Sequence, residues 1–309
     1  MSTATVAMTG ASGFIGGAIA GRLCEEGLRL RLLLRDTSRT PLAGHERVEA
    51  VQGDLHDTAA LARLVQGVDA VVHCAGAVRG ASVRDFDRVN VEGTARLLEA
   101  MGTAPRVPGL LMLSSLAARA PELSFYAASK RKAEHLLEQA GLRRWLALRP
   151  PAVYGPGDRE MLPLFRAMAR GFAPIPGSRR ARFSMLHVND LVGLVRCWLD
   201  ADDAPGGIHA LHDGKRGGYD WGDVAGVMQA ITGRRVRMLE IPRPLLDVPA
   251  WLNARLSPWF GHAPMLTPQK LRELRHPDWV CENSPQLLAL GWRPALRLDT
   301  GLRTLHDVL

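Results

Sequence analysis

Cysteine, lysine and tyrosine are all scarce in this 309-residue chain, and each scarcity removes a class of function. The four cysteines, Cys24, Cys74, Cys197 and Cys281, stand far apart and form neither a CxxC pair nor a Cys/His metal spacing. Free thiols in a reducing compartment and no metal are expected. No uninterrupted apolar stretch approaches the roughly 18–20 residues that a membrane span needs. Residues 1–8 lack a basic leader, and their apolar run breaks at Gly10, too soon for a signal peptide. The expected location is the cytoplasm. Lysine occurs only at 130, 132, 215 and 270, so the formal charge of +8 is carried almost wholly by arginine. Those arginines are dispersed, with pairs at Arg143-Arg144, Arg179-Arg180 and Arg234-Arg235 but no long basic run and no interleaved aromatics. No nucleic-acid partner is expected; a modest preference for anionic small ligands is.

What is present is a globular composition, 47% hydrophobic and 23% charged. In the first half, short apolar runs alternate with helical patterns, as βαβ units do. Strands are predicted at Thr5–Met8, Leu30–Leu34, Val48–Val51, Ala70–His73, Leu110–Leu113 and Trp145–Leu148. The helices between them are Gly13–Glu26, Thr58–Gln66, Asp85–Met101 and Tyr126–Ala140. Strands this uniformly apolar imply a parallel sheet buried on both faces. The predicted fold is α/β, a doubly wound parallel Rossmann sheet that binds its ligand at the carboxyl ends of the strands. After Pro150, prolines and glycines become frequent. Strands at Ile208–His212 and Arg237–Ile241 then mix with helices at Asn189–Asp200, Gly222–Thr232 and Thr267–Arg275. This texture predicts a smaller α+β C-terminal substrate-binding region. A dinucleotide-binding domain over residues 1–158, rejoined by 185–213, would carry a substrate region made of 159–184 and 214–309. The stretch from Pro242 to Met265, rich in Trp, Leu and Pro, reads either as a lid or as packing.

Residues 9–16, Thr-Gly-Ala-Ser-Gly-Phe-Ile-Gly, follow the first strand and open the first helix. That context turns a glycine pattern into a dinucleotide site. Gly10 permits the tight turn, Gly13 lets backbone approach a pyrophosphate, and Gly16 lets helix and strand pack closely. The helix start at Phe14 and Ile15 offers unpaired N–H groups and partial positive charge to phosphates. The second strand ends at Arg35 rather than at an acid. A guanidinium cannot accept the ribose 2′-hydroxyl hydrogen but can clasp a 2′-phosphate, with Arg39 and Ser12 able to assist. NADP(H) is therefore the preferred cofactor, and the neighbouring Asp36 keeps NAD(H) possible. Asp54-Leu55 after the third strand falls where the adenine would lie. Ala75-Gly76 after the fourth falls near the ribose and phosphates.

Tyr126 and Lys130 are an i, i+4 pair on a predicted helix, so phenol and ammonium address one point. With three tyrosines and four lysines in the chain, such a pair arises by chance about 4% of the time. A free phenol titrates near pH 10, and a cation within about 4–6 Å would lower that value. Ser115, at the end of the fifth strand beside Ser114, would hydrogen-bond and polarise a substrate carbonyl. Asn90 on the preceding helix is placed to anchor a water in a proton relay.

Together, Thr9–Gly16, Asp54-Leu55, Asn90, Ser115, Tyr126-xxx-Lys130 and the Arg149–Pro156 segment resemble the extended short-chain dehydrogenase/reductase superfamily. His187-Val-Asn-Asp190 and Leu290–Pro294 look like its later landmarks, so the resemblance covers nearly the whole chain. It implies a catalytic Ser115/Tyr126/Lys130 set with Asn90 in support. It also implies cofactor contacts from Ser114, Tyr126, Lys130, Pro150 and the Val153 backbone, and a possible homodimer. Two branches compete. Nucleotide-sugar epimerases and dehydratases commonly carry an asparagine where Pro151-Ala152 stands and hold NAD through an acid where Arg35 stands. Dihydroflavonol reductases and 3β-hydroxysteroid dehydrogenases show an Arg-Asp and a proline-rich turn at these places. The expected activity is NADP(H)-dependent interconversion of an alcohol and a ketone or aldehyde on an apolar small molecule. The alternatives are a nucleotide-sugar epimerase or dehydratase holding NAD, whose diphosphate Arg179, Arg180 and Arg182 could bind, and a non-catalytic NADPH-binding sensor or scaffold.

Overall fold

The computed structural model describes residues 4–260 and 264–305; the side chains of Arg39 and of residues 257–260 lie outside the description. The first half lays down β1 (Thr5–Thr9), β2 (Arg29–Leu34), β3 (Val48–Gln52), β4 (Ala70–His73), β5 (Gly109–Leu113) and β6 (Trp145–Arg149). Helices α1 (Phe14–Glu25), α2 (Thr58–Val65), α3 (Val83–Asp87), α4 (Gly93–Gly102) and α5 (Phe125–Gln139) fall between them. The second half adds short strands β7 (Ala152–Tyr154), β8 (Phe172–Ile175), β9 (Arg182–Phe183), β10 (Met185–His187), β11 (Gly207–Ala210) and β12 (Arg237–Glu240). Its longer helices are α6 (Leu162–Ala169), α7 (Val188–Asp200), α8 (Trp221–Thr232), α9 (Arg243–Phe260) and α10 (Pro268–Leu274).

Seven parallel strands form one sheet in the order β3-β2-β1-β4-β5-β6-β11. The expected Rossmann-like doubly wound α/β fold is therefore the one found. Side chains alternate across the sheet with the period of two that strands impose. Val6 and Met8 pack with Ile19, Leu23, Leu191 and Trp198 on one face. Ala7, Val71 and Met112 pack with Leu61, Leu97 and Leu137 on the other. Both faces are thus covered by helices, as a parallel sheet requires. A third cluster, including Tyr154, Phe165, Met185, Tyr219 and Met228, forms the core of the C-terminal portion. Asp190 ties the late landmarks together, because its carboxylate accepts from Ala295 N and Leu296 N, both at 3.0 Å, while its carbonyl accepts from Trp292 Nε1 at 2.8 Å.

One expectation is corrected. The helix predicted over Asp85–Met101 is not continuous. It is interrupted between α3 and α4 by a π-helical turn, Arg88–Glu92, that contains Asn90. A single extra residue in the helical ladder escapes a reading based on the 3.6-residue period. The Pro242–Met265 stretch is largely regular structure, since residues 243–260 form α9. Pro244 sits in the first turn, where no helical N–H is needed, and Pro249 lies within the helix.

Candidate active site

The strand order reverses between β1 and β4, and the crevice there is where open α/β sheets take their ligands. Gly10 closes the turn after β1 with φ +74°. A Cβ on Gly10 would sit 2.5 Å from Ala75 N, and one on Gly16 would sit 2.2 Å from Gly10 O. Both glycines are thus required by close backbone packing of loop, helix and β4. Gly13 is the N-cap of α1 and provides no side-chain cap, so the first amides of that helix, at Phe14 and Ile15, are left for a ligand. Ser12 and Gly13 are exposed, and Phe14 and Ile15 half-buried. This cradle fits a dinucleotide pyrophosphate. Arg35 is exposed just beyond β2 and makes no hydrogen bond or ion pair with a described residue. Arg39 lies in a short 3-10 turn, with its side chain outside the description. Asp54 is exposed and accepts from His56 N at 2.7 Å, while Leu55 is buried against Gly93.

At the end of β4 the backbone is held from below. Thr9 Oγ1 accepts from Ala75 N at 3.2 Å and lies 2.6 Å from His73 Nδ1. His73 is wholly buried between Thr9 and Thr94, and burial, aided by the Lys130 charge, lowers its pKa to about 3, which keeps the ring neutral. Asn90 Oδ1 accepts from Ala77 N at 2.7 Å, and its Nδ2 donates to Ala77 O at 3.0 Å and Ser129 Oγ at 2.8 Å. Its amide thus fastens the segment after Gly76 to α5. Gly76 lies directly over this arrangement, where a Cβ would come within 3.0 Å of Lys130 Nζ and 3.2 Å of Asn90 Oδ1.

Helix α5 begins at Ser124, whose Oγ accepts from Ala127 N at 2.9 Å. Tyr126 follows in the first turn and Lys130 one turn later. Lys130 is buried and donates from Nζ to Leu113 O at 2.9 Å, across the end of β5. Burial lowers its pKa to about 8, against the opposing influence of Cys74 and Glu134. Tyr126 behaves differently from the sequence expectation. Burial raises its phenol to about 12, the Ser115 hydroxyl pulls it down by hydrogen bonding, and the Glu273 carboxylate pushes it further up. Burial dominates this shift, and Lys130, one turn away, donates to Leu113 O. Ser115 and Tyr126 are therefore brought together, with the phenol in its protonated form.

Several residues that build the site gave no motif in the sequence. Glu134 is completely buried on α5 and receives hydrogen bonds from Ser114 Oγ at 2.5 Å, Arg149 Nε at 2.7 Å, Arg149 Nη2 at 2.6 Å and Arg131 at 3.1 Å. One carboxylate so pins α5 to the ends of β5 and β6, and it occupies the Ser114 hydroxyl. Its place four residues after Lys130 was the available signal, since i and i+4 share a face. Pro150 is buried, and its carbonyl accepts from Leu116 N at 2.9 Å, while Val153 pairs with Leu186 in the β7–β10 ladder. On the far side of Tyr126, Lys270 lies 5.7 Å from the ring centroid and bonds Glu273 at 2.9 Å. Buried Glu273 also accepts from Ser124 Oγ, docking α10 on the cap of α5. Phe86 meets Tyr126 edge-on at 6.1 Å, and a small pocket beside Tyr126 is lined by the apolar Val78, Phe86 and Met265 and the polar Ser124, Lys270 and Glu273.

Residues 6–210 match the family model described as the NAD dependent epimerase/dehydratase family. The chain belongs to that family. It is an NAD(P)-dependent enzyme of the extended short-chain dehydrogenase/reductase type. It is 36% identical to the ceramide reductase of Caulobacter vibrioides (strain NA1000 / CB15N) over 288 residues, covering 91% of this chain and 87% of that one. It is 29% identical to the 3 beta-hydroxysteroid dehydrogenase/Delta 5-->4-isomerase of Mycobacterium tuberculosis (strain ATCC 25618 / H37Rv), over 82% of this chain and 72% of the relative. Among solved structures, MoeE5 in complex with UDP-glucose and NAD superposes with a TM-score of 0.75 at 22% identity, covering 98% of this chain and 97% of that one. The Bacillus cereus UDP-glucuronic acid 4-epimerase with UDP-glucuronic acid and NAD gives 0.75 at 18% identity, covering 98% of each chain. At these identities the solved structures speak for the fold alone. No described helix is long and apolar enough to cross a membrane.

Proposed function

We propose that this enzyme is an NADP(H)-dependent oxidoreductase that interconverts an alcohol and a ketone or aldehyde on an apolar, lipid-like molecule. The observation that carries the reading is a juxtaposition: Tyr126 stands one turn before buried Lys130 on α5, with the Ser115 hydroxyl shifting its phenol and Phe86 against its ring. In the reductive direction the substrate carbonyl is polarised by Ser115 and takes the Tyr126 proton on oxygen as its carbon becomes tetrahedral. A phenol near 12 is acidic enough to protonate a developing alkoxide and too weak an acid to lose its proton beforehand. Bound in the glycine cradle, reduced nicotinamide supplies the hydride. Gly10, Gly13 and the start of α1 would hold its pyrophosphate, Arg35 the ribose 2′-phosphate, and Lys130 the nicotinamide ribose.

The likeness to a ceramide reductase supports a long-chain substrate, and Val78, Phe86 and Met265 supply apolar surface beside Tyr126. A nucleotide-sugar substrate is poorly supported. Arg179 is engaged with Glu240 and Met238 O, and Arg182 with Gly217 O, which leaves Arg180 alone of the three without a side-chain partner among the described residues. The test is stoichiometric. Incubated with long-chain ketones, the enzyme should consume one NADPH per alcohol formed. Purification with tightly held NAD and isomerisation without net cofactor turnover would overturn the proposal.

A further inference from the structure

Helix α9 carries a row of apolar side chains that the protein leaves uncovered. Leu245, Val248, Leu252 and Leu256 recur at the three- and four-residue spacing of one helical stripe, and Trp251 flanks it. All five are exposed, from 42% at Leu252 to 66% at Leu245. The opposite side of the helix faces the protein, with Ala250 completely buried and Leu246 and Ala254 partly so. Isolated exposed leucines need no explanation, but a continuous stripe marks an interaction surface.

Charge identifies the partner. The acids near the stripe, Glu240 and Asp247, are both taken up, Glu240 by Arg179 at 3.4 Å and Asp247 by Arg275 at 2.6 Å. Arg237, Arg243 and Arg255 are exposed and have no acidic partner among the described residues. Arg255 lies 5.2 Å over the Trp251 ring, a pairing of cation and amphipathic aromatic suited to the boundary between headgroup and acyl chain. A second copy of the chain is a poor occupant, because it would bring the same net positive charge of +8 to a surface whose free charges are arginines. The surface leads towards the active site. Helix α9 packs on α10, the Arg275–Asp247 pair ties them, and α10 carries Lys270 over Tyr126.

We infer that α9 lies flat on an anionic lipid surface, its leucines and Trp251 entering the acyl boundary and its arginines contacting lipid phosphates. The enzyme would thus draw a membrane-resident substrate directly towards Tyr126. The inference deepens the proposed reaction and rests on its lipid-like substrate, but the surface can be tested separately.

The experiment is co-sedimentation of the full chain with vesicles of mixed phosphatidylglycerol and phosphatidylethanolamine, compared with phosphatidylcholine alone. The wild type should pellet with the anionic vesicles and much less with the neutral ones, and high salt should release it. Leu245→Glu/Val248→Glu/Leu252→Glu should weaken binding at least about tenfold. Arg243→Ser/Arg255→Ser should remove the preference for anionic lipid. Reduction of a short water-soluble ketone and the melting temperature, followed in parallel, should be unchanged in both variants. A wild type that stays in the supernatant, or a triple variant that pellets as well as the wild type, would overturn the proposal. So would a dimer that the triple substitution dissolves without any vesicle binding. Vesicle binding by a protein that reduces no ketone would uphold the surface and defeat the proposed reaction instead.

Discussion

The Glu134 carboxylate offers the sharpest test of how the site is held. Replacing Arg149 by methionine keeps the side-chain bulk and removes two of the four hydrogen bonds that Glu134 accepts. Glu134 is completely buried, and Arg149 is only 18% exposed, so the remaining anion cannot turn to water. Breaking such a pair from one side costs about 3–5 kcal/mol. Arg131 stays at 3.1 Å, which places the expected loss near the lower end, about 3 kcal/mol. For 309 residues, an unfolding entropy of roughly 2.1 cal/mol/K per residue makes that a fall of about 5 °C in Tm. Because Glu134 stands one turn beyond Lys130, kcat/KM should fall as well. The assay is equilibrium urea unfolding of Arg149→Met, Glu134→Leu and the double variant. With both charges gone no ion is stranded, so the double variant should cost less than the sum of the singles by about 2 kcal/mol or more. A loss below about 1 kcal/mol for Arg149→Met, or strict additivity, would refute the reasoning.

Two further outcomes follow from the same geometry. Oxidation of an alcohol needs the phenolate, so its rate rises as pH climbs through the Tyr126 pKa, which burial and then Glu273 hold high. Glu273→Gln should therefore move the rising limb of oxidative kcat/KM to lower pH, several-fold faster at about pH 9, whereas a limb that stays put would show that Glu273 acts only as packing. Arg35→Asp should weaken NADPH at least about tenfold while sparing NADH, read by fluorescence titration, and equal weakening of both would remove Arg35 from the 2′-phosphate site.

How far the sequence could be read follows from where each feature's information lies. The six strands of the first half were legible because strands covered on both faces are continuous runs of Val, Leu and Ala. The glycine loop and the Tyr126/Lys130 pair were legible because each is a local motif on one turn or one helix. The Glu134–Arg149–Ser114 cluster was not, since it exists only when β5, β6 and α5 are in register. Glu273 meets Ser124 from 149 positions away, and nothing near either residue announces the other. The π-helical turn at Asn90 changed a boundary. It turns the Asn90 amide onto Ala77 and Ser129, where it braces the floor of the site. Sequence spacing set Lys130 one turn from Tyr126 but could not show how deeply the phenol is buried, which is what raises its pKa. The apolar character of the 242–265 stretch was plain in the sequence, and the structure orders much of it as α9.

The central claim is that Tyr126 delivers the proton while a nicotinamide bound above Gly10–Gly16 delivers the hydride. The most direct measurement is NADPH affinity and single-turnover ketone reduction in Tyr126→Phe, compared with the wild type. The account predicts that NADPH dissociation constants agree within about twofold, while the reduction rate falls by about 10²–10⁴. Reduction within a few-fold of the wild type, or loss of NADPH binding together with the rate, would contradict it.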